Sequence, residues 1–169
     1  MIRRGVLATL ALLVLAGCSK DETGPGVTPP RVAPASPSTA VTLYFSAAQG
    51  LNPGATGQPA PVRVRLFELK NSAGFSRADY FALAERASQT LGSDLLDQDE
   101  VLLQPGEQLH LKRELDPATR QIGLVVGYRE LDQAQWRSVL AVPPRDYQIS
   151  LDVRAIRADA VLPSTRTAP

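Results

Sequence analysis

The sequence predicts a mostly β chain, an antiparallel two-sheet β-sandwich with a short helical insertion after the second strand. Three observations carry that prediction. Apolar and polar residues alternate with a period of two in about seven short segments beyond residue 40, the spacing of half-buried strands. Gly, Pro, Asn and Asp, the turn formers, separate these segments. Only one stretch, residues 80–91, repeats at helical spacing, whereas a parallel α/β sheet needs a helix between most of its strands.

The first 17 of the 169 residues read as an export signal: Arg3 and Arg4, an apolar core over residues 6–16, then small residues before Cys18. That core has roughly half of the ~20 apolar residues a membrane-spanning helix needs. The stretch Leu15-Ala16-Gly17-Cys18 resembles the lipobox of bacterial lipoproteins. The resemblance implies cleavage before Cys18, a diacylglycerol on its thiol and an acyl chain on the new amine. Stable anchoring takes about two chains, at about 0.8 kcal/mol per buried methylene, so three acyl chains would hold the protein permanently. Cys18 is the only cysteine, which leaves no thiol for a disulfide in an oxidising compartment. Ser19 stands where lipoproteins retained in the inner membrane usually carry Asp, so the same class implies sorting to the periplasmic face of the outer membrane.

Removing the signal takes Arg3 and Arg4 with it, leaving 18 − 2 = 16 basic residues against 17 acidic ones. A formal charge of −1 with dispersed cations offers no footprint for nucleic acid. Residues 18–40 form the lipidated Cys and a linker, SKDETGPGVTPPRVAPASPST, with five prolines and little to bury. Such a linker spans about 25 Å as a coil and up to about 70 Å in polyproline form. Residues 41–158 suit a single folded domain, and residues 159–169 read as a polar, frayed tail.

Within the domain, VTLYFSA places Val41, Leu43 and Phe45 on one face of a first strand. Residues 47–61, AAQGLNPGATGQPAP, hold three Gly and three Pro and form a loop longer than most strand connections. VRVRLFELK alternates from Val62 to Leu66, after which Phe67 and Leu69 take the other parity, so either a bulge intervenes or both faces become buried. Asn71-Ser72-Ala73-Gly74 reads as a turn. Ser76, three residues before Asp79, reads as the cap of a helix whose stripe is Tyr80, Leu83, Ala84, Ala87 and Leu91, closed by Gly92. After an acidic connection, strands are expected over 100–104 and 108–115, joined as a hairpin by the type II turn signal Pro105-Gly106. QIGLVVGYRE follows, with Ile122, Leu124, Val126 and Tyr128 on one face and Gly123 and Gly127 leaving gaps on the other. WRSVLAV and residues 146–156 supply the last two strands.

Little of this can do chemistry. His110, the only histidine, alternates away from Leu109 and Leu111 and therefore faces solvent. A structural zinc site wants about four Cys, His or carboxylate ligands, and one His beside one lipidated Cys cannot supply them. Asp94, Asp97, Asp99 and Glu100 read as a solvated acidic loop without the glycine-centred spacing of a calcium loop. No glycine cluster follows a strand and opens a helix, so a nucleotide cradle has no support.

The lipobox and Pro-rich spacer, LNPGATGQPAPVRVRLFELK, FSRADYFAL, LGSDLL, the PGE turn and YRELDQAQWR, in that order, resemble the TssJ (SciN/VasD-like) lipoproteins of the bacterial type VI secretion system. The resemblance covers roughly Cys18 to Ile156. It implies a transthyretin-like β-sandwich and a non-enzymatic role: assembling the secretion membrane complex by binding the periplasmic C-terminal region of the inner-membrane protein TssM. It implies no cofactor beyond the acyl groups on Cys18, no small-molecule substrate and no nucleic acid. Carried over by position, the partner-binding residues are Gln49, Gly50, Leu51, Asn52, Pro53 and Gly54 in the 47–61 loop. In that layout Leu51 is the apolar anchor and its neighbours are the polar flanks. Trp136 and Arg137 also match the family pattern and read as fold-holding. Two other readings compete: a periplasmic ligand-binding or chaperone-like lipoprotein with a β-sandwich fold, and a hydrolase resting on His110 and scattered carboxylates.

Overall fold

The computed structural model describes residues 39–161. The signal, Cys18, the linker to residue 38 and residues 162–169 lie outside the described residues. Eight strands and two helices follow in order: β1 (Thr39–Ala47), β2 (Val62–Leu69), α1 (Ala73–Arg77), α2 (Tyr80–Leu91), β3 (Leu95–Leu103), β4 (Gln108–Leu115), β5 (Gln121–Val126), β6 (Arg137–Ala141), β7 (Asp146–Leu151) and β8 (Ile156–Ala160). They form two four-stranded sheets, β4-β1-β7-β8 and β3-β2-β5-β6. Every strand pair is antiparallel except β1 with β7, which run parallel.

The alternation builds the sandwich. Val41, Leu43, Phe45 and Ala47 of β1 are buried against Val62, Val64 and Leu66 of β2, with Ile122, Leu124, Val126, Tyr147, Ile149 and Leu151 completing the core. The parity change in β2 comes from burial of both faces: Leu66, Phe67, Glu68 and Leu69 are all buried, and the register with β5 runs unbroken through them. The one irregularity, between Glu68 and Leu69, lies past the change and places the extra residue on β3. Phe67 and Leu69 lie under the helical insertion in a second cluster with Phe75, Leu83, Ala87, Leu91 and Val125. Gly123 and Gly127 make the close approach possible. A Cβ on Gly123 would sit 2.7 Å from the Phe75 ring, and one on Gly127 would sit 2.9 Å from the Tyr80 hydroxyl.

Four expectations are corrected. Helix α1 occupies the expected turn, and Ser76 lies inside it; the cap of α2 is Asp79, whose carboxylate accepts from the Ala82 N–H at 2.9 Å. The Pro105-Gly106 turn forms, with Gly106 at φ +77° and the Gln104 carbonyl accepting from the Glu107 N–H, but no hairpin results. Strand β3 pairs with β2 and β4 with β1, so the turn is a corner between sheets. The acidic connection is itself strand from Leu95 onward; as a sheet edge it is mostly exposed and shows no alternation. Residues 146–156 divide into β7 and the start of β8, which continues to Ala160, and Asp159 is a strand residue paired with Gln148.

The β3 edge is closed by its own acids. Asp97 and Asp99 each use Oδ1 to accept from the next residue's N–H, those of Gln98 and Glu100, both at 2.8 Å. Each gives Oδ2 to the Arg113 guanidinium on β4, at 2.6 and 2.7 Å. An edge on which side chains already occupy the Gln98 and Glu100 amides and whose face is charged resists strand addition. Arg113 Nε also binds Glu68, which is 3% exposed, at 2.7 Å. The other Glu68 oxygen accepts from the Thr119 hydroxyl (2.8 Å) and the Asp116 N–H (3.0 Å). Burial works against the Arg113 charge, but the Glu68, Asp97 and Asp99 carboxylates outweigh it and raise its pKa. Removing one partner of a buried pair strands the other charge. Arg113→Met is therefore expected to lower unfolding free energy by about 3 kcal/mol, read as a shift of the urea midpoint at pH 7; a loss near zero contradicts the clamp.

Candidate functional site

Parallel β1/β7 pairing and the antiparallel remainder bring four connections to one end of the sandwich: the 47–61 loop, the Pro105-Gly106 corner, the segment from Gly127 to Gln135 and the turn between β7 and β8. The loop is the longest, and its backbone is tied to the others. The Ala48 N–H donates to Leu151 (2.8 Å) and the Asn52 N–H to Val153 (3.1 Å), while the Ala48 carbonyl accepts from both Leu51 and Gly106.

Leu51 is fully buried and belongs to the main core cluster. In this conformation it cannot be the exposed anchor expected of it; it is the plug that fixes the loop to the domain. Asn52 is 4% exposed and adopts a positive φ of 50°, a conformation that Asn tolerates better than most residues. Its Nδ2 donates to the Pro61 carbonyl (2.9 Å) and its Oδ1 accepts from the Arg129 N–H (2.8 Å). Gln49 is exposed and lies over Gly106, where a Cβ would fall 2.4 Å from its Nε2. Gly50 lies beside Val153, and Pro53 and Gly54 are half-buried. Past them the chain turns back on itself through Gly54 N–H to Gln58 and Gly57 N–H to Gly54 bonds, at 3.0 and 2.9 Å. Residues 55–59 are all exposed on this arch. Of the six loop positions expected from the sequence, four thus remain at the surface, and the exposed arch extends beyond them.

A second feature at this end was missed in the sequence. Tyr80 and Phe81 open α2 over an open groove of about 670 Å³, whose far side includes Leu131 and Trp136. Tyr80 meets Phe81 and Trp136 edge to face, with centroids 5.4 and 5.5 Å apart. Arg137 stacks its guanidinium 4.9 Å from the Trp136 ring and binds the Ala78 carbonyl at 2.8 Å, locking the indole to the α1–α2 junction. The signal was available: Phe81 lies off the apolar stripe of its helix.

Elsewhere, His110 is exposed on β4, and its ring meets Tyr44 edge to face at 4.9 Å. Among the described residues no group of His, Cys, Asp or Glu could hold a metal ion, and no helix is long and apolar enough to cross a membrane.

Residues 39–157 match the family described as type VI secretion lipoprotein (VasD, EvfM, TssJ). The chain belongs to this family. No curated protein matches it. The solved structure of the T6SS lipoprotein TssJ1 from Pseudomonas aeruginosa is 50% identical, with a TM-score of 0.70, and the match covers 79% of this chain and all of that one. Lip of Serratia marcescens, described as a membrane bound component of the type VI secretion system, is 29% identical over 75% of this chain and 99% of its own, with a TM-score of 0.69. A chain in the structure described as the T6SS protein TssM C-terminal domain (869-1107) from EAEC is 30% identical, with a TM-score of 0.63, over 72% of this chain and 98% of that one. The fold of this TssJ-type lipoprotein, two sheets with a helical insertion after the second strand, is the TssJ fold. The protein is a structural component of a secretion system.

Asn52→Ala in this TssJ-type domain removes both side-chain bonds and leaves the Arg129 N–H and Pro61 carbonyl unpaired. A loss of about 2 kcal/mol is expected, together with faster amide hydrogen exchange confined to the 47–61 loop and Arg129. Unchanged exchange there would contradict the tie.

Proposed function

We propose that this lipoprotein is held by acyl chains on Cys18 at the periplasmic face of the outer membrane and that its 47–61 loop binds the periplasmic C-terminal region of TssM. In this reading it is the outer-membrane foot of the secretion membrane complex, and the linker gives it reach across the periplasm. The linker ends at residue 38, two residues short of the boundary expected from the sequence, because Thr39 and Ala40 already pair with β4.

The observation that carries the reading is the build of the loop. Leu51 and Asn52 anchor it from within, and residues 55–59 project as a hydrogen-bonded arch. A surface ordered before it meets a partner loses little conformational freedom on binding. Gln49, Gly50, Pro53 and Gly54 flank the arch and are the members of the expected set with surface to offer; Leu51 and Asn52 hold its shape. Family membership supports the reading, as does the likeness to a chain in a structure described by the TssM C-terminal domain.

Binding of the full lipoprotein in detergent to the TssM periplasmic region of the same organism is the test. The intact protein is expected to bind, and replacing residues 54–58 with two glycines to weaken binding by about a hundredfold, since hot-spot losses reach 2 kcal/mol and more. No binding by the intact protein overturns the function. Equal binding by the shortened loop overturns the site.

A further inference from the structure

The geometry points to a docking surface that continues from the loop into the aromatic groove beside α2. We infer that the groove takes an extended segment of the same partner, with one apolar side chain lodged against the Phe81-Tyr80-Trp136 row and a basic residue toward Asp79 and Asp132. This rests on the reading that the loop end binds TssM, and goes beyond it in naming a second contact and its chemistry.

Phe81 is the first reason. The chain has four phenylalanines; Phe45, Phe67 and Phe75 are at most 1% exposed, whereas Phe81 is 57% exposed. Phe81 contributes nothing to either core cluster. An exposed ring beside a Tyr and a Trp has the composition of an interface centre. The row is also stiff, because Tyr80 reaches over the gap at Gly127 and Trp136 is held by Arg137. Filling it therefore demands little ordering of the protein's own side chains.

Continuity with the loop is the second reason. Arg129 lines the groove, its N–H is bound by Asn52, and a Cβ on Gly54 would fall 2.5 Å from its guanidinium. Loop and groove thus share a residue, Arg129, which places the arch beside the groove's rim. The alternative occupant within the chain, the linker, joins the domain at Thr39, which pairs with Leu115 at the opposite end of β1. It would have to run the length of the nine-residue strand, about 30 Å, to arrive.

Charge is the third. Glu130 at the rim is neutralised by Arg154 at 2.6 Å. Among the described residues neither Asp79 nor Asp132 has an ion-pair partner, and Arg129 is the one unpaired cation lining the groove. Two carboxylates without an ion-pair partner, Asp132 and the helix-capping Asp79, against one guanidinium favour a basic residue on the incoming segment.

The test compares full lipoprotein, Phe81→Ser, Asp132→Lys and the variant with residues 54–58 replaced, each in detergent, for affinity to the TssM periplasmic region and for mass alone in solution. Phe81→Ser and Asp132→Lys are each expected to weaken binding by about tenfold with unchanged thermal melting, the second more strongly at low salt. If the intact protein binds and both point variants bind within twofold of it, the groove is overturned while the loop reading stands. If the loop variant binds normally and the point variants do not, the loop contact fails and the groove holds. If Phe81→Ser instead abolishes self-association and leaves TssM binding intact, the groove belongs to a second copy of this chain and the inference is overturned.

Discussion

The loop end of this sandwich depends on one side-chain amide. Asn52 donates to the carbonyl of Pro61, where the loop re-enters the sheet, and accepts from the N–H of Arg129, on a different connection. Each bond is worth about 1 kcal/mol net, but leaving the two backbone groups unpaired in the interior would cost more than that. With the Leu51 side chain inserted into the core beside it, the fifteen-residue segment behaves as two short spans separated by a fixed point. What projects into solvent is a five-residue arch, and its shape is set before any partner arrives.

The rest of the fold makes that end the available one. The helical insertion covers the outer face of the β2-β5 sheet, and the approach of Phe75 and Tyr80 is possible only because positions 123 and 127 lack side chains. The β3 edge is filled by Asp97, Asp99 and Arg113, while β6 and β8 are drawn together through Gln135, whose N–H donates to the Arg154 carbonyl. Both lateral openings of the sandwich are therefore closed by internal contacts, and the exposed arch and the aromatic groove lie at the loop end. Strand β1 begins at Thr39, at the end of the sandwich opposite the loop.

Strands whose two faces differ were readable from alternation: Val41 to Phe45, Val62 to Leu66 and Ile122 to Val126 all point where their parity says. Position within a sheet hid the others. Strand β3, an edge, carries acids where a buried strand would carry valines, so it resembled a solvated loop until Arg113 and Glu68 were seen across the gap. The helix stripe was legible, but not its cap, because Ser76 and Asp79 both suit that role and only the break at Ala78 decides between them. The loop was recognisable by its Gly and Pro content. The roles within it were not, since a loop has no period to say which way Leu51 points. The expected lipid anchor is the reverse case: four residues carry that expectation in the sequence, and Cys18 lies outside the described residues.

A photo-crosslinking residue placed at Thr56 on the arch, and separately at Lys112 on the exposed face of β4, tests the central claim in living cells that assemble the complex. A crosslink to TssM is expected from position 56 and none from position 112. A crosslink from 112 with none from 56 would contradict it.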